Sequence, residues 1–291
     1  LSSFRLIFIT SIAMLAFAAN SVLCRVALDN TAIDAASFTM IRLFSGAVML
    51  LLLLIWQLSR NNENNGIKAL FANGSWWGAL ALFSYAAAFS FAYIELTAAT
   101  GALLLFGVVQ LSMIAYGFSQ GERFSLLQWL GLLLAIAGLL ILLLPGVESP
   151  PWHAALLMVF AGMAWGVYSL LGARSKVPPL AQTSGNFLRA VPFALVLLSL
   201  TAGQLNWDAQ GVIYAIASGA IASGMGYAVW YLALPWLKSS HAATIQLSVP
   251  VITALGGWLL LSESLTWSFW LASVCVLGGI ALVIWFKSKS L

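Results

Sequence analysis

The sequence predicts an all-α integral membrane protein of ten transmembrane helices, arranged as two inverted repeats of five. Three observations lead there. Hydrophobic residues make up 62% of the 291 residues and charged residues only 7%, whereas a soluble domain carries about 25% charged residues. The apolar residues fall in runs close to the ~20 residues a helix needs to cross a bilayer. The chain also resembles itself when slid by 141 positions: Glu122 falls on Glu263, Trp129 on Trp270, Leu130 on Leu271 and Gly138 on Gly279.

Spans are expected at 4–26, 36–58, 72–94, 97–118, 125–144, 152–171, 180–201, 209–233, 241–261 and 266–286. The first, Phe4 to Leu23, lies where a signal peptide would. It is long, lacks a clear small-residue cleavage site and opens a series of similar runs, so it reads as a retained helix. The second carries Arg42, roughly 10 Å from its start at helical rise, and the seventh carries Arg189. These are the only charges well inside spans. The third places Tyr85, Phe89 and Tyr93 four apart on one face. The fourth has Gln110 midway, and the sixth has Trp165 and Tyr168. Gly131 and Gly138 in the fifth, with Gly278 and Gly279 in the tenth, allow close helix approach. They point to a peripheral pair, one span from each half. The eighth shows small residues at four-residue spacing, Gly219 with Ser223 and Ala222 with Gly226. The ninth holds Pro250, followed by Gly256-Gly257, and is expected to bend as a gate.

The junction Pro145 to Pro151 leaves five spans on either side, giving repeats 1–146 and 147–291. An odd number per half makes the second enter from the opposite side, so the repeat is inverted. With the amino terminus in the cytoplasm, Arg5, Arg60, Lys68, Arg123, Arg174, Lys176, Lys238, Lys287 and Lys289 fall inside. Asp29, Asp34, Glu95, Glu148, Asp208 and Glu263 fall outside. This positive-inside bias puts both termini of a multi-pass membrane protein in the cytoplasm. Glu122 and Glu263, opening the last helix of each half, read as caps on the positive ends of those helices.

Several function classes are excluded. The charge of +4 is scattered over span ends without a basic patch, which argues against nucleic acid. Cys24 and Cys275 match no metal or redox spacing. There is no phosphate loop and no HExxH cluster, so no cofactor, metal or ATP hydrolysis is expected and the chain does not read as an enzyme. An intramembrane hydrolase would have to use Ser223 with His241, a weak pair because His241 sits at a helix end. No Asp or Glu lies deep in a span, which argues against a proton-exchanging carrier of organic cations.

Residues Tyr227 to Leu234 (YAVWYLAL), Ser240, the run Ser248-Val249-Pro250-Val251 and Glu263 ahead of the last helix resemble the drug/metabolite transporter superfamily, EamA type. Among its members the chain is most similar to bacterial exporters of aromatic and other neutral amino acids, the YddG-like group. Val109 stands in the first half where Pro250 stands in the second, so the fourth span should be straighter than the ninth. The resemblance implies secondary transport by alternating access and a peripheral last helix in each half.

An amide facing lipid is costly, so Asn20, Gln110, Asn186 and Gln246 should face another helix or a wet cavity. With the aromatics they suggest a central cavity with apolar walls and a few amides, suited to a neutral zwitterion. The candidate substrate-binding residues are Asn20, Tyr85, Gln110, Trp165, Tyr168, Arg189 and Gln246. For each single aromatic, core packing is the more ordinary role. Arg189 is evenly balanced between attracting a substrate carboxylate and binding helix carbonyls, while for Arg42 the structural role is favoured. The expected function is export of small neutral metabolites, amino acids including aromatic ones. The expected partners are that substrate and the bilayer, and the expected state is a monomer. The alternatives are a nucleotide-sugar or sugar-phosphate exchanger of the same superfamily, and a non-transporting membrane scaffold or receptor.

Overall fold

The computed structural model describes residues 2–60, 73–121, 123–143, 150–237 and 239–287. Glu122, most of the junction at 145–151 and all of the polar loop expected at 60–68 except Arg60 lie outside the described residues. Within them the chain is helical throughout, with no strand. Its helices are α1 (Ser3–Asn30), α2 (Ala35–Arg60), α3 (Trp76–Ala92), α4 (Ala98–Ser119), α5 (Leu126–Leu143), α6 (Trp152–Ala173), α7 (Pro179–Leu200), α8 (Ala209–Trp236), α9 (Ser239–Gln246 and Ser248–Leu261) and α10 (Trp267–Lys287). Nine of these described helices are long and apolar enough to cross a membrane, and α3 is the shorter tenth.

Local chemistry sets the boundaries. Helix α3 starts at Trp76 rather than near residue 72 because Ser75 caps it, its hydroxyl accepting from Gly78 N at 2.9 Å. Ahead of that cap Gly74 takes φ +90°, open to glycine, and lies so close to α7 that a Cβ would collide with the Gly185 backbone. Helix α9 is interrupted at Leu247, three residues before Pro250. The proline has no N–H for the Gln246 carbonyl and its ring crowds that turn. Helix α4, with Val109 at the corresponding place, runs unbroken. Helix α8 widens into a π-helical segment over Ala217–Met225, beside α2. A Cβ on Gly219 would overlap the Arg42 carbonyl and the Ser45 hydroxyl, so the backbones meet directly.

The two halves pack on each other more than within themselves. The principal pairings are α5 with α10, α3 with α6, α2 with α7, α4 with α6, α2 with α8, α3 with α7, α1 with α8, α1 with α9 and α4 with α9. This set is unchanged when each helix is exchanged for its counterpart five places along. Helices α5 and α10 pack mainly on one another. A Cβ on Gly131 would meet Gly279 O, and one on Gly138 would meet Cys275 and Val276. Gly278, expected to share that role, faces open space instead.

Hydrogen bonds and one cation–π contact sort the helix ends into two faces. At one, Asp34 at the start of α2 accepts from Asn206 N ahead of α8 (2.9 Å), and His153 at the start of α6 pairs with Glu95 after α3 (2.8 Å). At the other, the Arg174 guanidinium after α6 lies 5.0 Å from the Tyr116 ring near the end of α4, and Gln128 near the start of α5 donates to Val283 O near the end of α10 (3.4 Å).

Candidate functional site

A cavity of about 520 Å³ lies between the two halves, walled by α1, α3, α4, α6, α7, α8 and α9. Its rim includes Ala173 at the end of α6, Pro179 at the start of α7, Leu234 at the end of α8 and Ala242 in the first turns of α9. These ends belong to the face that carries Arg174, so the cavity opens there. It reaches inward to Asn20, Tyr85 and Phe89 of α1 and α3.

The middle is aromatic. Trp165 stacks on Tyr168 (5.1 Å between centroids, 30° between planes) and on Tyr227 (5.5 Å, 21°), and Tyr85 lies 4.8 Å away at 53°. Phe17 closes on Tyr227 and Trp230 at 5.6 and 6.1 Å. Polar groups sit at either end of this box. Near the mouth, the Thr183 hydroxyl is 2.8 Å from Tyr231 OH, and Tyr168 OH donates to Thr183 at 3.5 Å. At the blind end, Ser218 donates to Asn20 Oδ1 (2.6 Å), Asn20 Nδ2 donates to Tyr85 OH (3.2 Å), and Arg42 Nη2 donates to Tyr85 OH (2.8 Å). Between the ends, Gln110 and Gln246 line the cavity, and no hydrogen bond to another described residue engages either amide.

Asn20, Tyr85, Gln110, Trp165, Tyr168 and Gln246 therefore share one cavity. Arg189 does not line it. Its guanidinium donates to the carbonyls of Asn73 and Gly185 and lies 6.0 Å from the Trp76 ring. It secures the chain entering α3 to α7, because free carbonyls beside a helix start are good acceptors for a fixed cation. Tyr93, grouped with Tyr85 and Phe89 by helical spacing, turns away. It is fully buried and its hydroxyl donates to Ala98 O at 3.3 Å. Ser223 lines the cavity and His241 is exposed, with no hydrogen bond between them.

The sequence reading left out Phe17, Thr183 and Tyr231, and it placed Tyr227 and Trp230 among the mid-span aromatics without counting them as binding residues. For α8 the signal was present: Ser223, Tyr227 and Trp230 recur at helical spacing on one face. Phe17 and Thr183 carried none, since single aromatic or hydroxyl residues in a span are ordinary packing.

The face opposite the mouth is closed by a cluster of charges. Arg25 at the end of α1 donates to Glu263 (3.3 Å) and to the carbonyls of Tyr93 (3.1 Å) and Ile94 (2.9 Å), and it pairs with Asp29 (3.0 Å). Glu263 does not cap α10, whose first turn is held by Thr266 accepting from Phe269 N (3.1 Å). Its carboxylate instead accepts from Ala98 N at 2.9 and 3.0 Å, capping α4 across the halves. Ser262, in the left-handed region at φ 54°, turns the chain so that the carboxylate can reach. Burial pushes Glu263 above the ordinary carboxylate range, while the Ala98 N–H and Arg25 pull it down.

Comparison with known proteins agrees with this architecture. The model of the EamA-like transporter family matches the chain twice, over residues 5–144 and 152–285. The uncharacterized protein PA1977 of Pseudomonas aeruginosa is 55% identical over 96% of this chain and 94% of its own length. The uncharacterized transporter YoaV of Bacillus subtilis is 22% identical over 84% of this chain and 85% of its own. The threonine/homoserine exporter RhtA of Escherichia coli is 27% identical over 46% of each chain. A solved crystal structure superposes with a TM-score of 0.63 at 17% identity, covering 94% of this chain and 98% of its own. With its two family matches, its ten apolar helices and the cavity between its halves, the chain belongs to the EamA-like transporter family of the drug/metabolite transporter superfamily.

Proposed function

We propose that this transporter exports small neutral metabolites, amino acids including aromatic ones, by alternating access from the central cavity. The observation that carries the proposal is the composition of the cavity: an aromatic middle, two amides without a hydrogen-bond partner among the described residues, and no charged side chain among the described lining residues. Such a wall suits a zwitterion with an apolar side chain. Similarity to RhtA, a threonine/homoserine exporter, supports the same class of solute. A nucleotide-sugar or sugar-phosphate exchanger would need cations on the wall to meet several phosphate charges, and the described lining residues supply none. A scaffold would be expected to close its centre, and a hollow of about 520 Å³ speaks against that.

The pairing of helices across the halves supports two repeats, 1–146 and 147–291, and five helices per repeat make them inverted. Arg60, Arg123, Arg174 and Lys176 belong to helix ends on the side of the mouth, and Asp29, Asp34, Glu95, Asp208 and Glu263 to the opposite side. The positive-inside rule then orients both termini to the cytoplasm of a bacterial inner membrane. The cavity described above would be the cytoplasmic, loading state, with the Arg25–Glu263–Ala98 cluster shutting the outer side. The solute and the bilayer are its only required partners, and a monomer suffices because a single chain encloses the cavity.

The test is counterflow in proteoliposomes of the purified protein, using labelled phenylalanine, tryptophan, threonine and a nucleotide sugar. Exchange of the amino acids without the nucleotide sugar is expected. Exchange of the nucleotide sugar alone would replace this proposal by the rival transporter.

A further inference from the structure

We infer that the blind end of the cavity is a carboxylate subsite, in which Tyr85 donates its hydroxyl proton to the solute and Arg42 behind it supplies the positive charge. The inference rests on the solute-transport reading above and adds which part of the solute is held, and where.

The argument begins with the phenol. A tyrosine hydroxyl has two lone pairs and one proton. Arg42 Nη2 at 2.8 Å and Asn20 Nδ2 at 3.2 Å both donate to Tyr85 OH, which occupies the lone pairs. The network sets this amide orientation, since Ser218 donates to Asn20 Oδ1 at 2.6 Å. The phenol proton is left over. No hydrogen bond among the described residues takes it, and Tyr85 faces the cavity. A guanidinium donating to the phenol oxygen polarises it and makes that proton a stronger donor.

The second observation is the charge behind the phenol. Arg42 is 2% exposed, and no ion pair among the described residues includes it. Its guanidinium lies 5.1 Å from the Tyr85 ring and 4.8 Å from the Phe89 ring, and Nη1 has no hydrogen-bond partner among the described residues. The described carboxylates, Asp29, Asp34, Glu95, Asp208 and Glu263, all stand at helix ends. A buried cation without a counter-ion is costly, and cation–π contacts offset only part of that cost. A solute carboxylate on Tyr85 OH would be the missing anion, one hydroxyl away. Arg42 is then a positioning residue acting through Tyr85, and the aromatic box around Trp165, further toward the mouth, would take the side chain. The bland alternative is that Arg42 only ties α2 to α3.

Titration calorimetry of the purified protein in nanodiscs separates the two, with phenylalanine, phenylalaninamide and 3-phenylpropionate as ligands. The subsite predicts that phenylalanine binds about ten- to a hundredfold more tightly than its amide, the size of one charged hydrogen bond. Tyr85→Phe keeps the ring contacts to Phe89 and Trp165 and should abolish that preference. Arg42→Met should do the same and Arg42→Lys should restore most of it. Equal binding of phenylalanine and its amide by the unaltered protein would overturn the subsite, as would a Tyr85→Phe protein that keeps the preference. If Tyr85→Phe does not fold, the unaltered protein and the Arg42→Lys and Arg42→Met pair decide the matter alone. Binding of 3-phenylpropionate without phenylalanine would uphold the subsite and sink the amino acid assignment. Binding of neither carboxylate would overturn the subsite.

Discussion

Replacing Trp165 by alanine should shift the preference of the transporter from aromatic toward small amino acids. The indole contacts three rings, Tyr85, Tyr168 and Tyr227, at 4.8 to 5.5 Å. Each such pair is worth about 0.5–1.5 kcal/mol beyond area burial, so the substitution should lower folded stability by about 1.5–4.5 kcal/mol. That loss falls on every substrate alike. An aromatic substrate in the box loses one further ring contact, which lowers its apparent affinity about two- to twelvefold relative to threonine. Trp165→Phe keeps a ring and should recover part of the difference. The assay is competition of phenylalanine and of threonine against one labelled substrate in proteoliposomes, at matched reconstitution. Because the readout is a ratio, general damage cancels. Equal losses for the two substrates would refute the reasoning and return Trp165 to core packing, held by its three tyrosines.

Other outcomes follow from the same geometry. Cysteines introduced in the 60–68 stretch and after Lys287 should resist an impermeant thiol reagent in intact cells, and labelling of either from outside would reverse the orientation. Gly219→Leu should prevent recovery of a monodisperse protein, because its side chain would overlap the α2 backbone at Arg42. Gly278→Ala, whose Cβ meets nothing within 4 Å, should leave thermal stability unchanged. The raised pKa of Glu263 sets the sign of a pH effect. A carboxyl whose folded pKa exceeds its unfolded value adds stability that is complete below the unfolded value and is lost as pH rises through the folded one. The unaltered protein should therefore gain thermal stability as pH falls from neutral toward the unfolded glutamate value of about 4.3, and Glu263→Gln should show a smaller gain. An identical pH profile in the two proteins would mean that Glu263 is hydrated as an ordinary surface carboxylate.

Much of the molecule is legible in one dimension because the bilayer is a strict solvent. It demands long apolar runs and internally satisfied backbone, so span number and fold class follow from hydropathy. The same penalty on unpaired amides marked Asn20, Gln110 and Gln246, and all three line the cavity. Pro250 announced the break in α9, since a ring without an N–H acts on its own helix. Glycine at 131, 138 and 279 announced the tight α5–α10 pair through lack of a side chain alone.

What tertiary structure decided is which neighbour each polar side chain meets. Arg42 and Arg189 occupy comparable places in their halves, and the sequence left Arg189 evenly balanced between substrate and structure while giving Arg42 a structural role. Contact gave them different partners, for Arg189 donates to the carbonyls of Asn73 and Gly185 while Arg42 meets Tyr85 behind the cavity wall. Glu263 sits ahead of α10 in the chain but caps α4, its carboxylate reaching Ala98 across 165 residues. Hydropathy and helical period are properties of a residue and its near neighbours. A guanidinium or carboxylate is spent on whichever donor or acceptor the packing of ten helices brings within about 3 Å, and that partner is set by the whole assembly.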